Sequence, residues 1–332
     1  MRYTNVDINK RTIGMPAITL GTTWFGTKID KQIALMQMDY YAEIGGKWID
    51  TARIYGSEAF TSEERKPHFI DSEAVVGEWL NTRGARDKMI IITKGAHRSR
   101  ATGDRRVNAK EINSDIETSL HNLGIDYVDI YFLHNDDENI PVSEIMPILD
   151  TLVKDGKTRG LGASNWSVAR IIEANKFARD NGLTPFSISQ VRWSYAIPPN
   201  TGSSAGRFDM ETEPSQYKGY LELGIPIMAY SSQSKGFFIK TDKDCFDPGA
   251  IGRAVEFLSD ENIRRARIVH RLAAEEGIAV SAMAFAYLWS KRIPVTALVG
   301  CQNLAQLITS LTDCDYYPSI RVMETLESEK SQ

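Results

Sequence analysis

The sequence predicts an α/β fold, a single (β/α)8 TIM barrel that spans residues 1–332. Eight apolar runs rich in β-branched residues alternate with stretches of helical periodicity, as expected for parallel strands joined by helices. No Pro- or Gly-rich linker long enough to separate two domains interrupts them. A Rossmann sheet would carry Gly-x-Gly-x-x-Gly after a strand, but the nearest candidate, Gly160-Leu161-Gly162, has no third glycine. A closed barrel is therefore the favoured α/β architecture.

The predicted elements follow in order along the chain. Residues 1–14 are expected to form a short hairpin that closes the bottom of the barrel, with Asn9-Lys10 near its turn. Apolar, β-branched runs of strand length follow at 17–21, 47–50, 89–94, 128–134, 158–163, 186–191, 226–230 and 295–299. Helical patterns fill most of the gaps, including those at 30–45, 109–124, 142–157, 168–182 and 261–277.

The composition is that of an ordinary globular protein and argues against several classes. Hydrophobic residues make up 42% and charged residues 25%, and no apolar run approaches the roughly 18 residues of a membrane span. The N-terminus lacks the apolar core of a signal peptide, and the unclustered Cys245, Cys301 and Cys314 argue against a disulfide framework or a metal site. A net charge of −4 gives no reason to expect nucleic acid. We therefore expect a cytoplasmic protein that binds neither membranes nor metal.

Four ionisable side chains stand at the ends of predicted strands. Asp50 closes the strand at 47–50 and Tyr55 follows it, Lys94 closes 89–94, and His134 closes 128–134. Alone, each has an ordinary explanation: a capping carboxylate, a half-buried phenol, a surface cation and a histidine in a solvated acidic loop. However, the carboxyl ends of barrel strands converge on one face, so these residues can meet there. Together they favour a proton-donating site suited to carbonyl reduction.

The chemistry of carbonyl reduction explains why these residue types suit the site. Negative charge develops on the carbonyl oxygen, so a proton donor and preorganised hydrogen bonds are needed. A free tyrosine, with a pKa of about 10, is a reluctant acid near neutral pH. An ammonium from Lys94 would favour the phenolate that Tyr55 leaves behind, and Asp50 would hold Lys94 in place. His134 would hydrogen-bond the substrate oxygen or relay the proton.

Six short segments, taken in order, resemble those of the aldo-keto reductases, in particular bacterial-type members. The segments are "WIDTARIYG", "IITKG", "LGIDYVDIYFLHND", "KTRGLGASNW", "ISQVRWS" and "GIPIMAYSS". Each is weak evidence by itself, but all six occur in the family order and each lies at a predicted strand end. The resemblance covers nearly the whole chain. It implies a barrel fold, a nicotinamide cofactor and the same four roles for Asp50, Tyr55, Lys94 and His134.

Polar groups suited to a nicotinamide cofactor lie near the other strand ends. Its carboxamide needs donors and acceptors, which Ser164, Asn165 and Gln190 supply, and its ring benefits from the aromatic face of Tyr230. The resemblance adds Asp50, Gly21 and Thr22 on the nicotinamide side. It also implies a pyrophosphate channel lined by Ser231, Ser232, Gln233 and Gly236, and an adenosine-phosphate site formed by Gly300, Gln302 and Gln306. Taken singly, the Ser and Gln residues would be ordinary loop-capping groups.

The chain departs from the family pattern in three places. Gln302 stands where many relatives carry the cation that holds the 2′-phosphate of NADP, so NADPH is expected with NADH as the alternative, and Lys235 or Lys240 are possible substitutes. An insertion begins directly after Tyr55 and should overhang the mouth of the site. Ser231-Ser232 replaces the usual Ser-Pro, and Trp166 follows Asn165 in place of the commoner Phe or Tyr.

Three long loops are expected at the active-site mouth, at 56–71, 97–108 and 192–213. The second carries Arg98, Arg100, Arg105 and Arg106, which could attract an anionic or heavily hydroxylated substrate, although a solvated basic loop is the simpler explanation. Trp24, Trp193 and Tyr195 are the candidate pocket walls. Within the family, "LHNDD" is more like members suspected of acting on sugar-derived carbonyls.

Two other function classes fit the same residues. The first is a non-catalytic nucleotide-binding regulatory subunit of the same fold, which the four retained catalytic side chains argue against. The second is a barrel lyase that uses Lys94 as a Schiff-base amine, which needs a lysine without a tight carboxylate partner. The sequence therefore favours a reductase of a small-molecule aldehyde or ketone.

Overall fold

Eight parallel strands close into a barrel in the computed structural model, which describes residues 1–60, 64–198, 210–211, 213–241 and 246–328. A two-stranded antiparallel hairpin precedes the barrel, with strands β1 Tyr3–Ile8 and β2 Arg11–Pro16. The barrel strands are β3 Ile18–Gly21, β4 Trp48–Asp50, β5 Ile90–Gly95, β6 Ile130–Leu133, β7 Leu161–Ser164, β8 Phe186–Arg192, β9 Ile227–Tyr230 and β10 Val295–Val299. The predicted (β/α)8 fold is confirmed.

The strands run around the barrel in chain order, from β3 to β10, and the last pairs with the first. Ala297 of β10 lies opposite Ile18 of β3, and Val295 lies opposite Ile227 of β9, so both neighbours of β10 are parallel to it. Closure leaves no open sheet edge in the barrel. It also brings all eight carboxyl ends to one face.

Helices follow the barrel strands and cover their outer surface. They are α1 Lys31–Glu43, α2 Ser72–Arg83, α3 Ala109–Leu123, α4 Val142–Lys154, α5 Val168–Asp180, α6 Pro214–Leu223, α7 Phe237–Lys240, α8 Pro248–Ile251, α9 Asp260–Glu276, α10 Val280–Trp289, α11 Leu304–Leu311 and α12 Ile320–Ser328. Many begin at a polar cap: Asn108, for example, accepts a hydrogen bond from the backbone of Glu111 at the start of α3.

Two apolar clusters form the core. The larger one lies between the strands and the surrounding helices. The smaller fills the inside of the barrel and includes Trp48, Ile92 and Phe132 from the strands together with Ile8 and Met15 from the hairpin. The hairpin therefore plugs the barrel interior from its amino-terminal end.

The hairpin turn lies where the sequence predicts it. Asn9 and Lys10 both adopt positive φ, at 47° and 64°, which is the conformation of a two-residue I′ turn. The Asn9 backbone N–H donates to Ser187 Oγ at 3.1 Å, and its side-chain amide donates to the Arg159 carbonyl at 3.0 Å. Both contacts lie at the amino-terminal side of the barrel strands, so the expected closure of the barrel bottom is confirmed.

Candidate active site

The polar site residues continue the inward faces of the barrel strands. Because side chains alternate along a strand, the residue two places beyond an inward apolar one also points inward. Asp50 follows Trp48 in this way, and Lys94 follows Ile92, both from the inner cluster. The same alternation leads to Gln190 after Ile188, Tyr230 after Met228 and His134 after Phe132. On each of these five strands, the last inward apolar residue is followed by an inward polar one. The polar residues together form a ring at the barrel mouth, and the apolar residues form the floor beneath it.

A buried ion pair forms the base of this ring. The Lys94 Nζ lies 2.6 Å from Asp50 Oδ2, and both residues are inaccessible to solvent. The same ammonium donates to the Thr51 carbonyl at 2.9 Å and to the Tyr55 hydroxyl at 3.2 Å. Gln190 Nε2 donates to the other oxygen of Asp50 at 2.9 Å. All three N–H donors of the Lys94 ammonium therefore have an acceptor, and one of these acceptors is the Tyr55 hydroxyl.

Burial and charge act in opposition on this pair. Burial alone would lower the pKa of Lys94, but the Asp50 carboxylate and Tyr55 outweigh it and raise the pKa above its ordinary value. Burial raises the pKa of Asp50, and the charge and hydrogen bonds of Lys94 and Gln190 oppose that rise. Lys94 is therefore an ammonium at neutral pH, held beside the Tyr55 hydroxyl.

The turn after β4 presents Tyr55 to the barrel mouth. The Tyr55 backbone N–H donates to the Ala52 carbonyl at 2.9 Å, and the Tyr55 carbonyl accepts from the Ser72 backbone at 3.3 Å. The phenol is half-buried, and the Lys94 Nζ lies 4.7 Å from the centre of its ring. The hydroxyl therefore keeps one side toward the ammonium while the residue stays partly exposed.

His134 stands beside the phenol, one residue beyond β6. Its ring lies edge-on to Tyr55 with the ring centres 5.7 Å apart. Its backbone N–H donates to the Gly95 carbonyl at 3.0 Å, and its carbonyl accepts from Asn165 Nδ2 at the same distance. The four predicted catalytic residues therefore meet at one place on the barrel mouth.

The amide-bearing residues continue around the mouth from His134. Asn165 adopts a positive φ of 58° directly after Ser164, the last residue of β7. Its Oδ1 accepts from the Tyr230 hydroxyl at 2.8 Å, and its Nδ2 lies 3.2 Å from Ser164 Oγ. Gln190 is tied to Asp50, as described above. These four residues thus form a continuous polar wall next to the ion pair.

The loop after β9 turns sharply beyond Tyr230. Ser231, Ser234, Lys235 and Gly236 all have positive φ. The side chains of the other two predicted loop residues bond within the protein: Ser232 Oγ donates to the Leu298 carbonyl and Gln233 Nε2 donates to Ser310 Oγ. Any ligand in this loop would therefore meet mainly backbone groups.

The remaining predicted cofactor residues lie at the β3 and β10 ends. The Thr22 backbone donates to the Asp50 carbonyl at 3.1 Å, and a Cβ on Gly300 would lie 3.2 Å from the Gly21 carbonyl, so the two strand ends approach closely. Gln302 and Gln306 are exposed at the start of α11, where Gln306 Oε1 accepts from the Gln302 backbone at 3.0 Å.

The two lysines considered as substitutes for the missing cation are already engaged. Lys235 forms an ion pair with Glu256, and Lys240 Nζ lies 3.5 Å from the Ile251 carbonyl. The start of α11 itself presents the positive end of its helix dipole.

The three candidate pocket aromatics lie in different surroundings. Trp24 is partly exposed and packs against Phe60 of the 56–71 loop, with ring centres 5.9 Å apart. Trp193 and Tyr195 are 2% and 0% exposed and pack on Tyr287. Burial places both in the core rather than on a pocket wall, so Trp24 remains the stronger candidate. Most of the 192–213 loop, residues 199–209 and 212, and residues 61–63 of the first loop lie outside the described residues.

Three residues that the sequence did not single out contact the site. Thr51 contributes its backbone carbonyl, a contact that no residue type reveals. His97 packs edge-on against His134 at 4.7 Å between ring centres. The Arg53 backbone N–H donates to the Lys94 carbonyl at 2.9 Å. The closeness of Arg53 and His97 to Tyr55 and Lys94 in sequence was the signal available for them.

The part of the chain that the structure describes contains no group of three or more His, Cys, Asp or Glu side chains arranged to hold a metal ion. None of its helices has both the length and the apolarity that crossing a membrane requires.

Known proteins resemble this chain over most of its length. It is 29% identical over 314 residues to the norsolorinic acid reductase stcV of Emericella nidulans, covering 90% of this chain and 74% of that protein. It is 28% identical over 340 residues to the aryl-alcohol dehydrogenase [NADP(+)] of Phanerodontia chrysosporium, covering 95% of this chain and 81% of that protein. The aldo-keto reductase ausK of Emericella nidulans is 29% identical over 329 residues, 94% of this chain and 76% of its own length.

The match to a family agrees with the geometry. The sequence model described as the Aldo/keto reductase family matches residues 14–328, from the end of the hairpin to the last helix. This range includes every residue of the polar ring at the barrel mouth. The chain therefore belongs to the aldo/keto reductase family of oxidoreductases.

Proposed function

We propose that the protein reduces an aldehyde or ketone to the alcohol, with Tyr55 as the proton donor and NADPH as the cofactor. The observation that carries the proposal is the directed chain of contacts from Asp50 through Lys94 to the Tyr55 hydroxyl. An ammonium 3.2 Å from the phenol oxygen favours the phenolate that remains after proton transfer. Tyr55 can therefore give its proton to an oxygen on which negative charge develops.

Each other member of the ring has a supporting task. Asp50 keeps Lys94 charged and in position, and Gln190 and Thr51 hold the pair in place. His134, edge-on to the phenol, would hydrogen-bond the substrate oxygen from the opposite side. The apolar floor beneath the ring excludes water from the ion pair.

The polar wall suits a nicotinamide cofactor. Bound NADPH would supply the hydride. Ser164, Asn165 and Gln190 would hold the carboxamide, and Tyr230 would offer its face to the ring. The turn after β9 supports pyrophosphate binding, because its positive-φ backbone and small Ser and Gly residues would let a phosphate approach the main chain closely. Asp50, Gly21 and Thr22 would border the nicotinamide, and Gly300, Gln302 and Gln306 would border the adenosine phosphate.

NADPH is proposed over NADH because one relative carries NADP(+) in its name. Gln302 and the start of α11 offer hydrogen bonds and the positive end of the helix dipole to a 2′-phosphate, but no full charge. Titration with each cofactor, followed through tryptophan fluorescence, should give the lower Kd for NADPH. A lower Kd for NADH would overturn the preference while leaving the reductase proposal in place.

An imine mechanism at Lys94 is disfavoured by the same geometry. An amine attacks a carbonyl only when it is unprotonated, whereas the Asp50 carboxylate 2.6 Å away keeps Lys94 as an ammonium. Borohydride together with substrate should therefore leave Lys94 unlabelled. Covalent labelling at Lys94 would favour the lyase instead.

The sharpest test replaces only the phenol oxygen. Tyr55→Phe should lower kcat for aldehyde reduction by about 10²- to 10⁴-fold, because the proton donor is lost, while NADPH still quenches tryptophan fluorescence. Tyr127→Phe is the matched control, since Tyr127 stacks on Arg159 at the other end of the barrel. Retained turnover in Tyr55→Phe would contradict the role of Tyr55. Absence of turnover in the wild type, despite cofactor binding, would favour a regulatory subunit.

The substrate panel should compare sugar-derived carbonyls with aromatic aldehydes. The sequence favours the former, whereas the name of one relative, an aryl-alcohol dehydrogenase, favours the latter. Equal kcat/KM across the panel would remove any preference for sugars.

A further inference from the structure

A cleft of about 1020 Å³ opens between the loops that follow β4 and β5. Its lining residues lie between positions 53 and 69 on one side and between 97 and 115 on the other. It adjoins the reactive groups: Arg53 and Ile54 line it directly before Tyr55, and His97 lines it while its ring packs against His134. The cleft therefore lies beside the proton donor, although Tyr55 itself does not line it.

The cleft lies across the barrel from several of the proposed cofactor residues. In the closed ring of eight strands, β4 and β5 stand across the barrel from β8 and β9. The latter two carry Gln190, Tyr230 and the turn of Ser231 to Gly236. A cofactor held by those residues would leave the cleft on the substrate side.

The cleft is positively charged although the chain is acidic. Seven arginine and lysine side chains and four acidic side chains line it, a surplus of three positive charges in a chain of net charge −4. A concave site lined by one sign of charge concentrates ligands of the opposite sign. The local excess therefore points to an anion.

Part of this charge is already neutralised by the protein. Arg105 lies 2.5 Å from Asp137, Arg106 pairs with Glu111 and Asp115, and Arg65 lies 3.1 Å from Glu58. These ion pairs fix the shapes of the two loops. They leave few donors for a ligand.

Two other arginines are open to a ligand. The exposed guanidinium groups of Arg98 and Arg100 have neither an ion pair nor a hydrogen bond within the described residues. At the inner end, the buried Arg53 Nη1 has no hydrogen-bond partner in the same part of the chain, since the nearest Asp71 oxygen is 3.8 Å away. The rest of the Arg53 side chain is partly exposed and lines the inner end of the cleft, so its positive charge adds to that of Arg98 and Arg100.

We propose that this cleft binds the anionic group of the carbonyl substrate, a carboxylate or a phosphate. Arg98 and Arg100 are its specificity-determining residues, and Arg53 adds positive charge at the inner end. Guanidinium groups bind either anion through paired N–H donors. The inference rests on the proposed carbonyl reduction, because it names the substrate class: an aldehyde or ketone that carries an anionic group on the side away from the cofactor.

The test compares matched substrates that differ in one charge. One pair is 4-carboxybenzaldehyde and its methyl ester, and the other is glyceraldehyde 3-phosphate and glyceraldehyde. In the wild type, kcat/KM should be about tenfold higher for the charged member, and raising the salt concentration should reduce this ratio. The first pair reports on carboxylate and the second on phosphate, so the better ratio identifies the anion.

The variants are Arg98→Gln and Arg100→Gln, singly and together. Each should reduce the charged-to-neutral ratio about two- to fivefold, the scale of exposed ion pairs, and the double variant more. Arg11→Gln removes the same charge from an exposed position on the hairpin, at the other end of the barrel, and should keep the wild-type ratio. A wild-type ratio near one, or an unchanged ratio in the double variant, would overturn the anion site.

Calorimetry separates failure of this inference from failure of the reductase proposal. The probe is 4-(hydroxymethyl)benzoate, the alcohol product, added to the protein with NADP+. If no aldehyde is reduced but the probe binds more weakly to the double variant than to Arg11→Gln, carbonyl reduction fails and the anion site stands. If both members of each pair are reduced equally, reduction stands and the anion site fails. Neither turnover nor binding would reject both.

Discussion

At the scale of single residues, the Asp50–Lys94 pair is the central contact of the proposed active site. A buried ion pair contributes little net stability, because desolvation of both charges offsets their attraction. The pair instead holds its neighbours in position. Both Asp50 oxygens accept hydrogen bonds, and the Lys94 ammonium donates three, one of them to the Tyr55 hydroxyl. Removing one partner, however, leaves a buried charge without compensation.

Lys94→Met should lower the free energy of unfolding by about 3–5 kcal/mol at neutral pH. Burial already raises the pKa of Asp50, and Lys94 opposes that rise, so its loss moves the pKa further up. A carboxyl whose pKa is higher in the folded than in the unfolded state stabilises the fold below the unfolded value of about 3.9. It loses that contribution as the pH rises through the folded pKa. The deficit of the variant should therefore shrink from about pH 8 to about pH 5.

Urea unfolding of wild type and variant at both pH values measures this change. Lys31→Met is the matched control: Lys31 pairs with Glu78 at 3.0 Å on the surface, so its loss should cost at most about 1 kcal/mol and show little dependence on pH in this range. A Lys94→Met deficit that grows toward low pH would show that Asp50 is not the group being protonated.

The sequence predicted the residues of this site better than their contacts. A lysine at the end of an apolar strand and a tyrosine just beyond a neighbouring strand are visible as types, so Lys94 and Tyr55 could be named. The Thr51 carbonyl, the edge-on packing of His97 and the unpaired donor of Arg53 could not. These depend on distances between atoms, which residue types do not encode.

At the scale of elements, helices α2 and α3 approach so closely that one position must be glycine. A Cβ on Gly77 of α2 would lie 2.6 Å from the Leu123 carbonyl oxygen and 2.7 Å from that of Asn122. Both are backbone atoms of α3 that cannot move without shifting the helix. Local propensity and tertiary packing therefore make opposite demands here.

Gly77→Ala should destabilise the protein by about 1–3 kcal/mol, the usual cost of overpacking. Helix propensity alone predicts the reverse, a gain of about 1 kcal/mol. Asn81→Ala, at an exposed position of the same helix, is the control and should be neutral or slightly stabilising. The midpoint of urea unfolding distinguishes the two, and a Gly77→Ala protein as stable as Asn81→Ala would show that the helices can separate without cost.

The sequence predicted which segments form strands better than it predicted where each strand begins and ends. The prediction at 295–299 agrees with β10, but the one at 158–163 begins three residues before β7. Thr158 makes only an isolated bridge to Val128, and its hydroxyl bonds to the Gly160 carbonyl. Apolar periodicity indicates which face of a segment is buried. A strand, however, begins where a neighbouring strand is close enough for backbone hydrogen bonds.

At the scale of the whole molecule, the hairpin plug and the proposed catalytic residues lie at opposite ends of the barrel. Ile8, 3% exposed, packs with Ile188 in the inner cluster, and its Cγ2 would lie 2.4 Å from a Cβ on Gly160. The hairpin thus fills the amino-terminal end, while Tyr55 and His134 stand at the carboxyl end. A substitution in the plug should affect folding without affecting the reaction.

Ile8→Ala should lower the free energy of unfolding by about 2–5 kcal/mol, through lost burial and the cavity left behind. Its kcat for aldehyde reduction should equal that of the wild type at temperatures where both are folded. Thr4→Ala, at an exposed position on the same strand, should change neither quantity. A large loss of kcat in folded Ile8→Ala would mean that the two ends of the barrel are coupled through the inner cluster.

The sequence by itself determined the class of fold, the hairpin turn and the identity of the four residues that meet at the barrel mouth. These follow from local regularities: periodicity, turn chemistry and a polar residue at the end of an apolar run. Only the tertiary structure decided that Gln190 holds Asp50, that Trp193 is buried, and that Arg98 and Arg100 face a cleft without partners. Closing the barrel brings together residues more than a hundred positions apart, and the resulting distances depend on the whole chain.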